Sequence, residues 1–415
     1  MTTTSEPDHL FNPLDPAFVA SPYEQYAALR TEDPVHRSDL LCGWVVTRFD
    51  DVGRLLRDPS VSSDIENATP TPLTIHELQR LAEQNRASRT VVLVDDPDHA
   101  RIRRLMADPF RPREIEKLRA NVERRIAESI DHLLEVHGDG PVEIDLIEDF
   151  AYPLPVEIFS DMLGLPEERH PQFRYWTQCV ARTIDPIMGG EERAASLAGL
   201  DEMYAYLEDQ ADRKRAHPAD DLLSHLVHIE SDGERLTHEE LMAQLVTLYM
   251  AGHEPTAGLI GMGMVALLDA PDQLALLRHD PGRLSNGVSE LIRFDGPNQF
   301  VRRITTQPTM IGDTELPAGA VIYASPASAN RDPARWGDTA DQVVVDRPDA
   351  GQHLQFGAGV HACLGSHLAR LQAQVAFAAI FARFGDVELA GPPQWSTRMF
   401  IRGLASLPIR CTISR

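Results

Sequence analysis

The segment 237–269 constrains the fold more than any other stretch of this chain. It opens on a capping box, Thr237-x-x-Glu240, whose reciprocal side-chain to backbone hydrogen bonds mark a helix start. One helix from there to about Asp269 would be ~45–50 Å long at the α-helical rise, enough to cross a whole domain. Everything else must pack around such a rod. Its middle reads Tyr249-Met250-Ala251-Gly252-His253-Glu254-Pro255-Thr256-Ala257-Gly258. Pro255 has no N–H for the carbonyl of Ala251, so the helix is expected to kink or open there. Gly252 and Gly258 leave its flank bare, room for something flat to lie against the backbone. A freed carbonyl beside Glu254 points to a functional helix; the plainer alternative is one helix ending and another beginning.

A second feature lies downstream. Residues 356–365 read FGAGVHACLG and put Cys363 on a glycine turn, directly ahead of the amphipathic run LGSHLARL. A sulfur at a helix N-terminus meets free backbone N–H groups and the helix dipole, which favour the thiolate. A thiolate aimed by a rigid loop can be a nucleophile, a zinc ligand or the axial ligand of a haem iron. His353, His361, Cys363 and His367 are close in sequence, but their spacing fits no paired zinc arrangement. His253-Glu254 begins like the zinc-protease helix motif, yet Ala257 stands where its second histidine belongs. For a thiol hydrolase, His361 lies two residues from Cys363 across a tight turn, poor geometry for a general base.

Composition narrows the setting. The 415 residues are 43% hydrophobic and 25% charged, the balance of a globular chain with a large core. No run of apolar residues is long enough for a transmembrane helix, so no membrane insertion is expected. The N-terminus MTTTSEPDHLFNPLDP has neither the basic start nor the apolar core of a signal peptide. Cys42, Cys179, Cys363 and Cys411 lack paired spacing, which fits a reducing compartment and a cytoplasmic location. Lys and Arg number 39 against 63 Asp and Glu, and the resulting net charge of −24 repels nucleic acid and anionic membranes. Arg101, Arg103, Arg104, Arg111 and Arg113 run against that field; they read as a solvated helix face or as a site for an anionic cofactor group or acidic partner. Helical periodicity dominates 97–295, and strand-like alternation is confined to short segments such as 44–47, 309–325 and 401–413. With no repeat or linker, a single domain over 1–415 is expected, mainly α with small β-sheets, with about 1–15 as a flexible tail.

These motifs resemble the cytochrome P-450 family over nearly the whole chain. FGAGVHACLG is similar to that family's haem-binding signature. The resemblance implies Cys363 as the metal ligand, the proximal thiolate of haem b (iron protoporphyrin IX). Phe356 would pack near sulfur and porphyrin, and Gly357 and Gly365 would let the loop reach under the ring. Donation from such a thiolate favours O–O cleavage. Glu290-Leu291-Ile292-Arg293 resembles the family's E-x-x-R pair, one turn apart on a helix, which binds a third arginine ahead of the cysteine. Arg347 is the candidate partner, and the implied role is structural. Within DDPDHARIR at 95–103, His99 and Arg103 are one turn apart, and with His361 and Arg303 they resemble the propionate contacts. Arg302 is the alternative register for Arg303. Arg101, Arg104, Arg111 and Arg113 are then left as a docking face for an acidic electron carrier.

The resemblance implies the haem-thiolate fold, with haem between the long kinked central helix and the cysteine-loop helix. It also implies an oxidoreductase with O2 as co-substrate. Electrons would come from NAD(P)H through a ferredoxin or flavodoxin and its reductase. The segments that usually line the pocket correspond to 63–92, Met250 with Ala251, 298–301 and 398–401. Asn298 and Gln299 add hydrogen-bonding capacity; Met250, Phe300, Val301, Met399 and Phe400 add soft, apolar and aromatic surface. Such a pocket suits a natural product, a small cyclic peptide or a polyketide, although plain core is the alternative for each residue.

One departure stands out. The family usually has Ala-Gly-x-Asp/Glu-Thr-Thr in the long helix, with the first threonine beside bound dioxygen. Ala251, Gly252 and Glu254 match, but Pro255 takes that threonine's place, and Thr256 follows one position late, rotated ~100° around the helix. Protons would then come from water held at the Ala251 carbonyl and Glu254, or from an O–H or N–H of the substrate. Otherwise the enzyme would abstract hydrogen and couple radicals into a C–C or C–N bond, the outcome that Pro255 is expected to favour. A haem-binding sensor or carrier without turnover, and a Cys/His thiol hydrolase, are the alternatives outside this class.

Overall fold

The capping box forms. The Thr237 hydroxyl accepts the Glu240 N–H at 3.1 Å, and the Glu240 carboxylate accepts the Thr237 N–H at 2.9 Å. In this computed structural model, which describes residues 10–76, 90–138, 140–184 and 190–414, the capped helix spans His238–Leu268. It runs through Pro255 without a break in the helix. From Thr256 to Leu268 nearly every residue is buried, as a rod inside a bundle must be. Helices Pro153–Leu163, His170–Ile184, Leu284–Asp295 and Ser366–Arg383 pack directly on it. Small residues set how close they come: a Cβ on Gly263 would stand 2.8 Å from the Phe377 ring. On the other side the Phe173 ring stacks on Tyr249, 4.4 Å between centroids.

The architecture is mainly α with small sheets. The largest sheet has five strands in the spatial order Val35–Ser38, Gly43–Val46, Val321–Ala324, Val301–Thr305, Val61–Ser62. Only the contact of Gly43–Val46 with Val321–Ala324 is parallel. A three-stranded antiparallel sheet joins Gly140–Asp145, Pro408–Ile413 and Phe384–Leu389. The expected strand segments 44–47, 309–325 and 401–413 all contain strands. Gly140–Asp145 was not anticipated, because it interrupts a long helical stretch and its apolar alternation is confined to the four residues Val142 to Asp145.

The expectation of a flexible tail over 1–15 is corrected for the described part, 10–15. Phe11 is 1% exposed and packs edge-on against Phe18 and Phe300, with centroids 5.5 and 6.0 Å away. Asp15 caps the helix Pro16–Ala20. Among the described residues no single helix is long and apolar enough to cross a membrane.

Candidate functional site

The cysteine loop is shaped by two glycines at positive φ, Gly357 (+68°) and Gly359 (+70°). A Cβ on Gly359 would stand 2.6 Å from the Leu56 carbonyl oxygen, so the loop lies directly on the backbone of an N-terminal helix. The Cys363 N–H donates to the Phe356 carbonyl at 2.8 Å and closes the loop. The helix Ser366–Arg383 follows, with Gly365 at its N-cap. Gly365 has an ordinary φ, and a Cβ there would meet no protein atom, so neither backbone strain nor protein packing accounts for it.

Cys363 has an accessible face, yet protein crowds it on the other sides. Burial therefore pushes its thiol up, more than the Gly365 N–H, Arg103 and Arg370 pull it down. This corrects the expectation that the helix start alone secures the thiolate: the sulfur sits ahead of the cap, and desolvation wins. His361 is turned to Ser63, with Nε2 3.1 Å from Oγ, and its ring packs 4.1 Å from that of His99. A Cys/His nucleophilic pair is not assembled. Among the described residues no group of His, Cys, Asp and Glu could hold a metal between them. A lone thiol would suit an iron whose other, protein-independent ligands come from a macrocycle.

Beside that thiol the structure gathers donors that lack acceptors. His99 is 2% exposed, and its Nε2 is buried without a partner; the same holds for Nδ1 of His361. Burial lowers both histidines, His361 to about 4. Arg303 is 6% exposed, donates to the Arg302 carbonyl and has no carboxylate within ion-pair distance among the described residues; burial lowers it to about 10. Its neighbours Asp95 and His361 place it, rather than Arg302, on this side of the strand. Arg103 donates to the Ala362 carbonyl at 2.7 Å. Buried cations and N–H groups without acceptors are costly, and a dianionic ligand with two carboxylates would satisfy them. The residues present fit a haem with its propionates here.

Glu290, Arg293 and Arg347 come together behind the loop. Arg293 binds both Glu290 oxygens, at 2.7 and 2.8 Å, and Arg347 Nε is 3.1 Å from each. Arg293 also donates to the carbonyls of Asn330, Ala340 and Gln342, and Arg347 to those of Trp336 and Thr339. The Asn330 side chain takes the Leu354 N–H, so the network reaches the start of the cysteine loop.

In the middle of the long helix Ala251 is exposed, between the half-buried Met250 and Gly252. Gly252 is not bare toward that side: a Cβ there would touch the Phe159 ring at 3.5 Å, and one on Gly258 would meet the Arg402 carbonyl. Glu254 is 3% exposed, and both its oxygens are taken. Tyr152 donates to Oε1 and Arg398 to Oε2, each at 2.5 Å. Burial alone would raise this carboxyl, but Arg398, His253 and Tyr152 hold it below the usual range. Thr256 donates to its own helix, Oγ1 to the Gly252 carbonyl at 3.2 Å. Pro255, one residue earlier, leaves the Ala251 carbonyl without its usual i+4 donor.

Several expected pocket residues are instead core. Gln299 is 1% exposed, accepts from the Tyr26 hydroxyl and donates to the Gly296 carbonyl. Phe300, Met399 and Phe400 belong to the aromatic cluster around Phe11, Tyr26 and Tyr323. These side chains lie on the sheet side of their strand and loop, where an apolar cluster was already waiting. Asn298 is half-buried and tied to Gln355 by hydrogen bonds in both directions. Met250 and Val301 are half-buried. Of the segment 63–92, residues 77–89 lie outside the described residues. The basic patch is also partly spent: Arg101 pairs with the buried Glu240, and of the exposed members Arg104 lies 3.7 Å from Asp232 and Arg111 2.7 Å from Asp108, while Arg113 is exposed beside them.

Tyr152 and Arg370 were not singled out from the sequence, and Arg398 was placed only in the pocket segment 398–401, not on Glu254. Tyr152 lies 102 residues from Glu254, and no local pattern could have found it.

Comparison with known proteins agrees with this geometry. The family model "Cytochrome P450" matches residues 75–400. Cytochrome P450 107B1 of Saccharopolyspora erythraea is 36% identical over 424 residues, covering 99% of each chain. The cytochrome P450 monooxygenase PikC of Streptomyces venezuelae is 39% identical, covering 99% of this chain and 95% of its own. The solved structure of PksS, the cytochrome P450 of the Bacillus subtilis bacillaene polyketide synthase, superposes with a TM-score of 0.86 at 31% identity, over 98% of this chain and 100% of that one.

Proposed function

Because this chain belongs to the cytochrome P450 family, and is thus a haem-thiolate oxidoreductase of monooxygenase type, we propose that it oxidises a polyketide or cyclic-peptide natural product as one cytoplasmic catalytic domain. Bound haem supplies activation of O2 with two electrons, for oxygen insertion or for hydrogen abstraction. Cys363 is read as its thiolate ligand, aimed by the bond from its N–H to Phe356. His99, Arg103, Arg303 and His361 hold the propionates, and Glu290, Arg293 and Arg347 hold the loop. The observation that carries the reading is the pair of unpartnered buried nitrogens, His99 Nε2 and His361 Nδ1, beside a lone thiol. Electrons come from NAD(P)H through a ferredoxin or flavodoxin and its reductase, docking on the face that carries Arg104, Arg111 and Arg113. A polyketide substrate is supported by the likeness to PksS, and four free cysteines suit the cytoplasm.

The side facing the substrate favours a second reading of the reaction. Neither Glu254, with both oxygens occupied, nor Thr256, bonded back to Gly252, offers a proton at Ala251. Pro255 removes the side-chain hydroxyl that would do so. Water held at the Ala251 carbonyl, or an O–H or N–H of the substrate, must supply it for oxygen insertion. Oxidative coupling draws on the same supply: the substrate gives up two hydrogens to form one C–C or C–N bond and, with the two electrons and two protons delivered, O2 leaves as two waters and no oxygen is retained. The test is mass analysis of products from a polyketide and cyclic-peptide panel with surrogate ferredoxin and reductase, for the wild type and P255T. The reading expects P255T to release less peroxide and to gain oxygenated product. Unchanged product ratios and peroxide release would sink it.

A further inference from the structure

Arg370, like Arg103, differs from the arginines of this site that hold a carboxylate partner. Arg293 and Arg347 share Glu290, Arg398 has Glu254 and Arg402 has Asp295. Arg370, on the second turn of the helix Ser366–Arg383, has no carboxylate partner among the described residues, and the one group of opposite sign acting on it there is Cys363. Its guanidinium lies over the Phe356 ring, 4.5 Å from the centroid, and Nη2 is 3.5 Å from Nε2 of His353. His353 packs on the same ring from 5.4 Å, so the cation is fixed in place. Phe356 is the residue whose carbonyl receives the Cys363 N–H. Arg103, the other cation acting on Cys363, donates to the Ala362 carbonyl and is the one assigned above to a propionate.

A half-buried cation with no counter-ion costs stability, and keeping one calls for an anion that appears only when the site is loaded. The Cys363 thiolate is that anion. Resting on the reading of Cys363 as haem ligand, we infer that Arg370 is the fixed counter-charge of this thiolate and sets how readily the haem iron accepts an electron. Adding one electron to the ferric centre increases negative charge, so a nearby positive charge favours the ferrous form. Arg370 acts through Cys363 and Phe356; it is a positioning and electrostatic residue, not a catalytic one.

The test is a spectroelectrochemical titration of the haem-loaded wild type, R370M, R370Q and R370K. Loss of the charge in R370M or R370Q should shift the one-electron equilibrium toward ferric by on the order of tenfold, a fall of ~59 mV. R370K, which keeps the charge and loses the planar stack, should stay near the wild type. The C–O stretch of the ferrous carbonyl complex should fall in R370M and R370Q and hold in R370K, an independent readout on the same samples. Potentials in R370M and R370Q equal to the wild type would overturn the inference. So would R370K falling as far as R370M, which would assign the effect to packing on Phe356. A wild type that binds no haem would instead defeat the proposed function itself.

Discussion

Replacing Arg398 by Met should convert Glu254 from a stabilising carboxylate into a buried liability, with a pH signature. Glu254 is 3% exposed, and its Oε2 is bound by Arg398, whose side chain is 18% exposed. Removing one member of a buried ion pair costs about 3–5 kcal/mol, because the remaining charge is left without compensation. In the native protein the carboxyl is held below its unfolded value of 4.5. Its contribution is therefore complete above that pH and is lost only as pH falls through the lower native value. In R398M burial acts without its main opponent, and the carboxyl moves up instead. The deficit against the wild type should then be small near the unfolded value, widen with rising pH by up to ~1.4 kcal/mol per unit, and level off. Other charges face the group too: Tyr152 remains bonded to Oε1, His253 is lowered to about 4 by burial and is neutral through the range, and Arg174 lies over the Tyr152 ring. Urea unfolding of the haem-loaded protein from about pH 5 to about pH 8 reads the deficit directly. In an E254Q background the same substitution should cost far less and show no pH trend. Equal deficits at both ends of the range, or an unchanged trend in the E254Q background, would refute the reasoning.

Other outcomes follow from the same geometry. E290A strands two buried guanidinium groups and should cost about 3–5 kcal/mol, with faster haem loss than R347K, which keeps one charge; unfolding midpoints and haem transfer to apomyoglobin check both. G359A must place a Cβ at φ +70° against the Leu56 carbonyl, a strain of about 1–3 kcal/mol, whereas G365A, facing no protein atom, should fold as the wild type and show its defect only in haem uptake. R303M removes a buried cation that has no carboxylate partner among the described residues, so the haem-free chain should become more stable while haem dissociates faster; loss of stability in the haem-free chain would contradict the assignment to propionate.

Some of this was legible in the sequence and some was not, for physical reasons. The long helix was readable to the residue at its start because a capping box is a local, four-residue interaction. The cysteine loop was readable because positive-φ glycines and a fixed cysteine leave a sequence trace. The Glu290, Arg293 and Arg347 set was readable because two of its members sit one helical turn apart. By contrast, the Tyr152–Glu254–Arg398 clamp joins three distant segments, and each residue alone looks ordinary. Phe300, Met399 and Phe400 could not be sorted into pocket or core, since both environments select the same apolar side chains. Only the burial of Phe11 and Tyr26 against them decides it. The bare flank expected at Gly252 failed for a similar reason: a missing Cβ does not say whether the space is filled by Phe159 or by a ligand.

The central claim is that Cys363 holds a haem iron as its thiolate. The most direct measurement is the absorption spectrum of the reduced protein under carbon monoxide, for the wild type and C363H. The wild type should give the red-shifted band for which the family is named, and C363H should keep haem while losing that band. A wild type without the band, or a C363H protein that retains it, would contradict the claim.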